Sequence, residues 1–238
     1  MAYRAVCFDI DGTLYPAKTM NRRMISITLR HPVFGLRYLL GRVKFRRLQG
    51  TFAQDVPFRL REAMLLEQRG KAEVAGSEKS RAGTYEKLEK WIYDPMEKLY
   101  EKTKPFDGVA ETFRKIRDNG LKVGVLSDFP LFHKLESMGL ADFVDFAASS
   151  DDTGFLKPDT HCFEYLLYNL KMDSADVLYV GDSYAKDIAG AHGAGIDAVL
   201  VNVRGSEKDF PSRYPLAKAV FNRWSDFDVW LSANMGDN

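Results

Sequence analysis

The stretch that most constrains this chain is Ala5-Val6-Cys7-Phe8-Asp9-Ile10-Asp11-Gly12-Thr13-Leu14-Tyr15. Val6, Cys7 and Phe8 form an unbroken apolar run. A strand without a polar face must be covered on both sides, as in parallel sheets flanked by helices. Gly12-Thr13 then breaks the run. Asp9 and Asp11 stand two residues apart, so in extended chain both carboxylates leave the same side of the strand. Two anions so close repel, and burial strengthens the repulsion. Such a pair persists if a cation neutralises it, if one member carries a proton, or if the turn splays the two apart. One reading is a magnesium-assisted site, in which one carboxylate binds the metal and attacks while the other handles protons. The plain alternative is a solvated Asp-x-Asp-Gly turn after a strand.

After Tyr15-Pro16 the pattern turns helical. Apolar positions recur between arginines over 21–50, and Pro32 and Gly35 divide this stretch into two helices. A further helix is expected over 57–69, a loop over 70–83 and a helix over 84–100. From residue 105 strands alternate with helices. Helices are expected over 109–119, 131–138, 160–170 and 185–192, with a closing helix that includes 227–231. Strands are expected over 121–126, 143–147, 177–180 and 198–201, with a last short one at 220–221. This alternation means an α/β fold, a mostly parallel sheet covered on both faces, with an all-helical insert at 17–104 dividing a core of 1–16 and 105–238.

Charge follows the same division. The 238 residues carry 34 Lys+Arg and 33 Asp+Glu, but 17–104 holds 20 and 10 of these and the remainder 14 and 23. An acidic module suits a divalent cation; a basic one suits an anionic substrate, a phosphate group or an anionic surface. The overall balance gives no reason to expect a nucleic-acid partner. Cys7 and Cys162 match no metal or redox spacing and read as buried thiols of a reducing compartment. No secretory h-region and no apolar run of about eighteen residues occurs, so a membrane span is not expected and the cytoplasm is the default location. His133, His161 and His192 share no ligand spacing and read as structural. The Arg-rich apolar stretch 22–48 fits an interfacial amphipathic segment. It fits helices lying over an anion site better, because those need both features. Oligomeric state is open.

In open α/β sheets ligands sit at the carboxyl ends of the strands, and polar residues end several of the expected strands. Asp9 and Asp11 follow the first, Ser127 and Asp128 the second, and Asp182 a later one, with Asp187 five residues on. Lys157-Pro158 lies in a loop before a helix. Singly, Asp182 reads as a helix N-cap, Ser127 as a turn residue and Lys157 as a solvated lysine. In this order they describe a phosphoryl-transfer site. Phosphate monoesters resist anionic nucleophiles, so catalysis rests on positioning and charge neutralisation. Mg²⁺ takes oxygen ligands in near-octahedral geometry. Asp9, Asp182 and the main-chain carbonyl of Asp11 are the expected metal ligands, with Asp187 binding through water or orienting a ligand. Ser127, Asp128 and Lys157 are the expected phosphate-binding set. Asp9 attacks phosphorus to form an aspartyl-phosphate, and Asp11 serves as acid and then base.

Asp9-Ile10-Asp11-Gly12-Thr13, Ser127, Lys157-Pro158 and Gly181-Asp182 with Asp187 together resemble the four motifs of the haloacid dehalogenase-like (HAD) hydrolase superfamily. The resemblance covers roughly residues 4–16 and 105–205. It implies a three-layer Rossmann-like core with the first strand central, and a helical cap domain in the slot occupied by 17–104. The second aspartate, Asp11, implies a phosphatase rather than a dehalogenase, because carbon–halogen-cleaving members lack an acid/base aspartate there. The expectation is a Mg²⁺-dependent phosphatase of a small phosphorylated metabolite. Alternatives are a phosphomutase of the same fold and a non-catalytic module that binds through its basic insert.

Overall fold

A computed structural model describes residues 3–51, 55–67, 78–100, 103–131 and 133–235. The first strand, β1 (Ala5–Phe8), is wholly buried. Five helices follow it: α1 (Ala17–Arg30), α2 (Pro32–Leu48), α3 (Phe58–Glu67), α4 (Glu78–Leu88) and α5 (Asp94–Tyr100). Then come α6 (Val109–Asp118), β2 (Lys122–Ser127), α7 (Lys134–Ser137), β3 (Phe146–Ser149), α8 (Ser150–Thr153) and α9 (Thr160–Leu170). The chain closes with β4 (Val177–Gly181), α10 (Ala189–Gly193), β5 (Asp197–Leu200), α11 (Phe210–Arg213), β6 (Ala219–Val220) and α12 (Trp224–Asn234).

The six strands form one sheet in the order β3-β2-β1-β4-β5-β6, and every pairing is parallel. Alternation along β1 explains its all-apolar sequence. Val6 and Phe8 face one layer, where Phe8 stacks on Phe113 of α6 at 4.7 Å and meets Trp224 and Phe227 of α12. Ala5 and Cys7 face the other, with Cys162, Phe163 and Leu166 of α9. Both thiols are buried and free, and burial pushes their ionisation up.

Several boundaries differ from the sequence expectation. α1 and α2 are divided at His31, with Pro32 opening α2 where its missing N–H costs nothing. The expected loop 70–83 lies outside the described residues up to 77, and α4 already begins at Glu78, so Gly83 is helical. Residues 68–69 of the expected 57–69 helix and 132 of the expected 131–138 helix also lie outside them. A π-helical turn at Glu89–Tyr93 joins α4 to α5 within the helix expected at 84–100. α7 is a single turn, and β3 starts three residues later than expected, in the register that sets Ser149 beside Ser127.

Candidate active site

Chain order along the sheet reverses between β1 and β4: β2 and β3 run out on one side, β4 to β6 on the other. The crevice at the carboxyl ends of β1 and β4 is where such sheets bind ligands. The Asp9 N–H continues the ladder one residue past β1, donating to the Val180 carbonyl at 2.9 Å, and so sets this carboxylate beside the end of β4. The Thr13 hydroxyl donates to Asp9 Oδ2 at 2.9 Å. Lys157 Nζ, almost fully buried, donates to Asp9 Oδ1 and to Asp187 Oδ1, each at 2.6 Å, and lies 3.1 Å from the Tyr179 hydroxyl. Burial opposes its charge, but Asp187 and Asp9 outweigh burial and hold the ammonium well above the usual lysine range. Lys157 is therefore no solvated loop lysine.

Asp182 follows β4 directly, and Asp187 enters from a π-helical turn at Tyr184–Ile188 that opens α10. In this widened turn the N–H groups of Asp187 and Ile188 both donate to the Ser183 carbonyl, at 2.8 and 3.3 Å, and the Ser183 N–H donates back to Asp187 Oδ2 at 3.0 Å. Asp9, Asp182 and Asp187 each bring an oxygen within 4.8 Å of the others. Burial, then the charge of Asp9, pushes Asp182 up to about 7. Burial also pushes Asp187 up to about 6, with Lys157 pulling against it. Glycine is required where the chain passes this cluster. A Cβ on Gly12, whose φ is +113°, would lie 2.1 Å from Asp182 Oδ2, and one on Gly181 would lie 2.3 Å from Asp187 Cβ.

Asp11 is elsewhere. The turn splays it from Asp9, which is one of the three ways such a pair can persist. Its two oxygens accept from Lys134 Nζ at 2.8 and 3.0 Å, from the Ser127 hydroxyl at 3.0 Å, and from the Tyr15 hydroxyl. Burial works against its charged form, but Lys134 and these hydrogen bonds outweigh it and leave the carboxyl below its usual range. Lys134 itself is fully buried, 4.2 Å from the centre of the Tyr100 ring, and burial pulls its ammonium down. Sequence reading missed this lysine. A signal was present, since Leu131, Leu135 and Met138 set the apolar face of the expected helix and Lys134 falls on that same face.

Asp128 has a different environment from the one expected of a phosphate-binding residue. Its Oδ1 accepts from the Lys157 N–H at 2.9 Å and its Oδ2 from Arg46 at 2.7 Å. Its carbonyl accepts from Arg42 at 2.6 Å. Burial opposes its charge, yet Lys157, Arg46 and Lys186 hold the carboxyl well below the usual range. An ionised carboxylate repels phosphate, so this side chain is suited to joining α2 to the sheet. α2 brings Arg42, which also pairs with buried Glu62 at 2.8 Å, and Arg46, which reaches the Lys157 carbonyl at 3.1 Å. A cleft of about 500 Å³ opens beside Asp182, with Lys18, Asn21 and Arg204 along it. Asn202 donates to the Gly12 and Thr13 carbonyls at 2.9 and 3.0 Å and pins the turn that separates Asp9 from Asp11.

Comparison with known proteins gives a consistent outcome. The family model described as haloacid dehalogenase-like hydrolase matches residues 3–195. A ribulose-1,5-bisphosphate 5-phosphatase of Halopiger xanaduensis is 27% identical over 209 residues, covering 82% of this chain and 83% of that protein. A glyceraldehyde 3-phosphate phosphatase of Methanopyrus kandleri is 27% identical over 215 residues, covering 88% of each. The crystal structure of a HAD phosphatase from Thermococcus onnurineus superposes with a TM-score of 0.62 at 22% identity, covering 98% of this chain and 100% of that one.

Proposed function

The chain belongs to the haloacid dehalogenase-like hydrolase family, and we propose that it hydrolyses the phosphate monoester of a small phosphorylated metabolite, with Asp9 as nucleophile and Mg²⁺ as cofactor. One observation carries the reading: Asp9, Asp182 and Asp187 converge within 4.8 Å, with Lys157 bonded to two of them. The two named relatives, each matched over four fifths of this chain or more, are phosphatases of phosphorylated small molecules by name.

The donor set suits Mg²⁺. It is all oxygen, and with one lysine facing three carboxylates it is net anionic, so a cation offsets the burial and the repulsion from Asp9 that push Asp182 and Asp187 up. Asp9, Asp182 and Asp187, with the Asp11 carbonyl, would hold the ion, which would supply charge neutralisation at the phosphate oxygens. An Asp9 carboxylate oxygen attacks phosphorus, and the phosphorus–oxygen ester bond breaks as the aspartyl-phosphate bond forms. Asp11 gives a proton to the departing oxygen. It then takes one from the water whose oxygen attacks phosphorus and frees Asp9. Ser127 and Lys157 hold the transferring oxygens. In the arrangement described both Asp11 oxygens are engaged and Lys134 favours its ionised form, so Asp11 acts only after it leaves Tyr15 and Lys134 and takes up from solvent the proton that it then donates. Helices α1 to α5 serve as a cap, joined to the site through Arg42 and Arg46. The cleft beside Asp182 houses the rest of the substrate.

Purified protein with Mg²⁺ should release phosphate from an aryl phosphate, and a chelator should stop it. Asp9→Asn should lower kcat by at least about a thousandfold. Wild-type protein that turns over nothing in a broad panel of phosphorylated metabolites with Mg²⁺ would remove the reading.

A further inference from the structure

The cap reading accounts for the inner face of α2 and leaves its outer face unexplained. Gly35, Tyr38, Arg42 and Phe45, spaced i, i+3, i+7, i+10, are buried toward the rest of the protein. On the opposite side Val33, Leu36, Leu40 and Val43 repeat the same spacing, and they are 75, 58, 62 and 53% exposed. A helix that is apolar on two opposite faces normally lies inside a protein or against something else. Ile25 and Leu29 of α1, 57 and 69% exposed, add two more on the helix before the His31 junction. These six side chains are over half of the molecule's exposed large apolar residues among those described. Exposed apolar side chains concentrated in this way on one stretch of chain mark an interaction site.

Charge identifies what the face meets. Residues 17–48 contain nine Lys+Arg and no Asp or Glu. Arg22, Arg30 and Arg47 are exposed, with Arg22 before the apolar positions, Arg30 among them and Arg47 after them. A recess of about 350 Å³ opens beside the start of α2, lined by Arg30, His31, Val33, Arg37, Lys87 and Trp91. The His31 ring stacks on the Trp91 indole at 4.0 Å, and Lys87 Nζ lies 5.8 Å from that indole. A second copy docked on this face would bring two wholly basic segments together, which like-charge repulsion opposes. An apolar ridge bordered by cations, with an aromatic and cationic recess of headgroup size, matches the acyl–headgroup boundary of an anionic bilayer.

We propose that the outer face of α1 and α2 seats the protein on an anionic phospholipid surface, with the six apolar side chains at the acyl boundary and the arginines among the headgroups. The seat lies on the side of α2 away from Arg42, so it leaves the phosphatase site open and does not depend on it.

Flotation of the full chain with vesicles tests this at physiological salt. Vesicles containing about a third phosphatidylserine should carry the protein, and pure phosphatidylcholine vesicles should not. Leu36→Glu with Leu40→Glu should cut binding at least about tenfold while the unfolding temperature and aryl phosphate hydrolysis stay at the wild-type level. Should that pair of changes unfold the protein, Val33→Gln with Val43→Gln makes the same test with smaller side chains. Millimolar inorganic phosphate should not displace the protein from the vesicles; complete displacement would mean that the recess binds free anions and the ridge binds nothing. Absence of flotation with anionic vesicles would overturn the proposal, as would flotation unchanged by both variants. A dimer in sedimentation velocity that Leu36→Glu with Leu40→Glu dissolves, without vesicle binding, would assign the face to a second copy instead.

Discussion

Asp11 and Lys134 show how much of the site depends on one buried pair. Removing the cation leaves a buried carboxylate with no counter-ion, a change that typically costs about 3–5 kcal/mol. Lys134→Met should therefore destabilise the protein strongly in denaturant unfolding, and adding Asp11→Asn should recover much of the loss. Lys134 holds Asp11 away from its acting position and favours its ionised form, so Lys134→Met should not lower turnover of alkyl phosphates more than that of nitrophenyl phosphate, whose leaving group needs no proton. A selective loss on alkyl phosphates would make Lys134 a partner of Asp11 during the reaction. This pair also marks the limit of what the residues alone disclose. Asp9 and Asp182 were legible because strand ends announce themselves through the switch from apolar to polar residues, and Asp187 and Lys157 only through their order along the chain with these two. Lys134 was not, because it sits mid-pattern on a short helix and its role exists only once Asp11 is turned toward it. Asp128 was legible as a residue at a strand end, but its partners, Arg42 and Arg46, lie more than eighty residues away in sequence.

Among the elements, α2 couples the inserted helices to the sheet through two arginines. Arg42 is buried against Glu62 and bonded to the Asp128 carbonyl, while Arg46 is partly exposed and grips the Asp128 carboxylate. The two arginines should differ accordingly. Arg42→Ala strands Glu62 in the interior and is expected to cost about 3–5 kcal/mol. Arg46→Ala should cost only about 1–2 kcal/mol, yet it frees α2 from the Lys157 loop and should raise KM more than it lowers kcat. Chemical denaturation and steady-state kinetics on the two variants check both statements. The division into strands and helices was largely visible in advance: periodicity located α1, α2, α6 and α9 closely, with α9 matching to the residue. Where it failed, tertiary contacts had set the boundary. β3 begins where it can pair with β2, and the turn before α10 widens so that Asp187 reaches Asp9 and Lys157.

For the whole molecule, the sheet concentrates negative charge at one point and leaves it to be neutralised. Asp182, pushed up to about 7, should titrate near 3.9 in the unfolded chain. A folded value above the unfolded one means that this group's contribution to stability is complete below about pH 4 and is lost as pH rises toward 7. A divalent cation replaces the proton. The gain in unfolding temperature on adding Mg²⁺ should thus grow between about pH 5 and pH 7, as the cluster ionises and the cation displaces fewer protons. A gain that is flat or shrinks over this range would place the ion elsewhere. The six-strand order, by contrast, was only partly legible. Alternation of strands and helices implied a parallel sheet and the resemblance a central first strand, but that β1 lies between β2 and β4, which brings Asp9 beside Asp182, is visible only in the folded sheet.

Acid-quench trapping of the phosphoenzyme addresses the chemistry most directly. The protein is mixed with Mg²⁺ and a ³²P-labelled phosphate monoester that it hydrolyses, quenched within the first turnover and digested. Label on the peptide that contains Asp9, absent with chelator and absent in Asp9→Asn, is the predicted result. Label on another residue, or Asp9→Asn protein that still hydrolyses the ester at the wild-type rate, would contradict it.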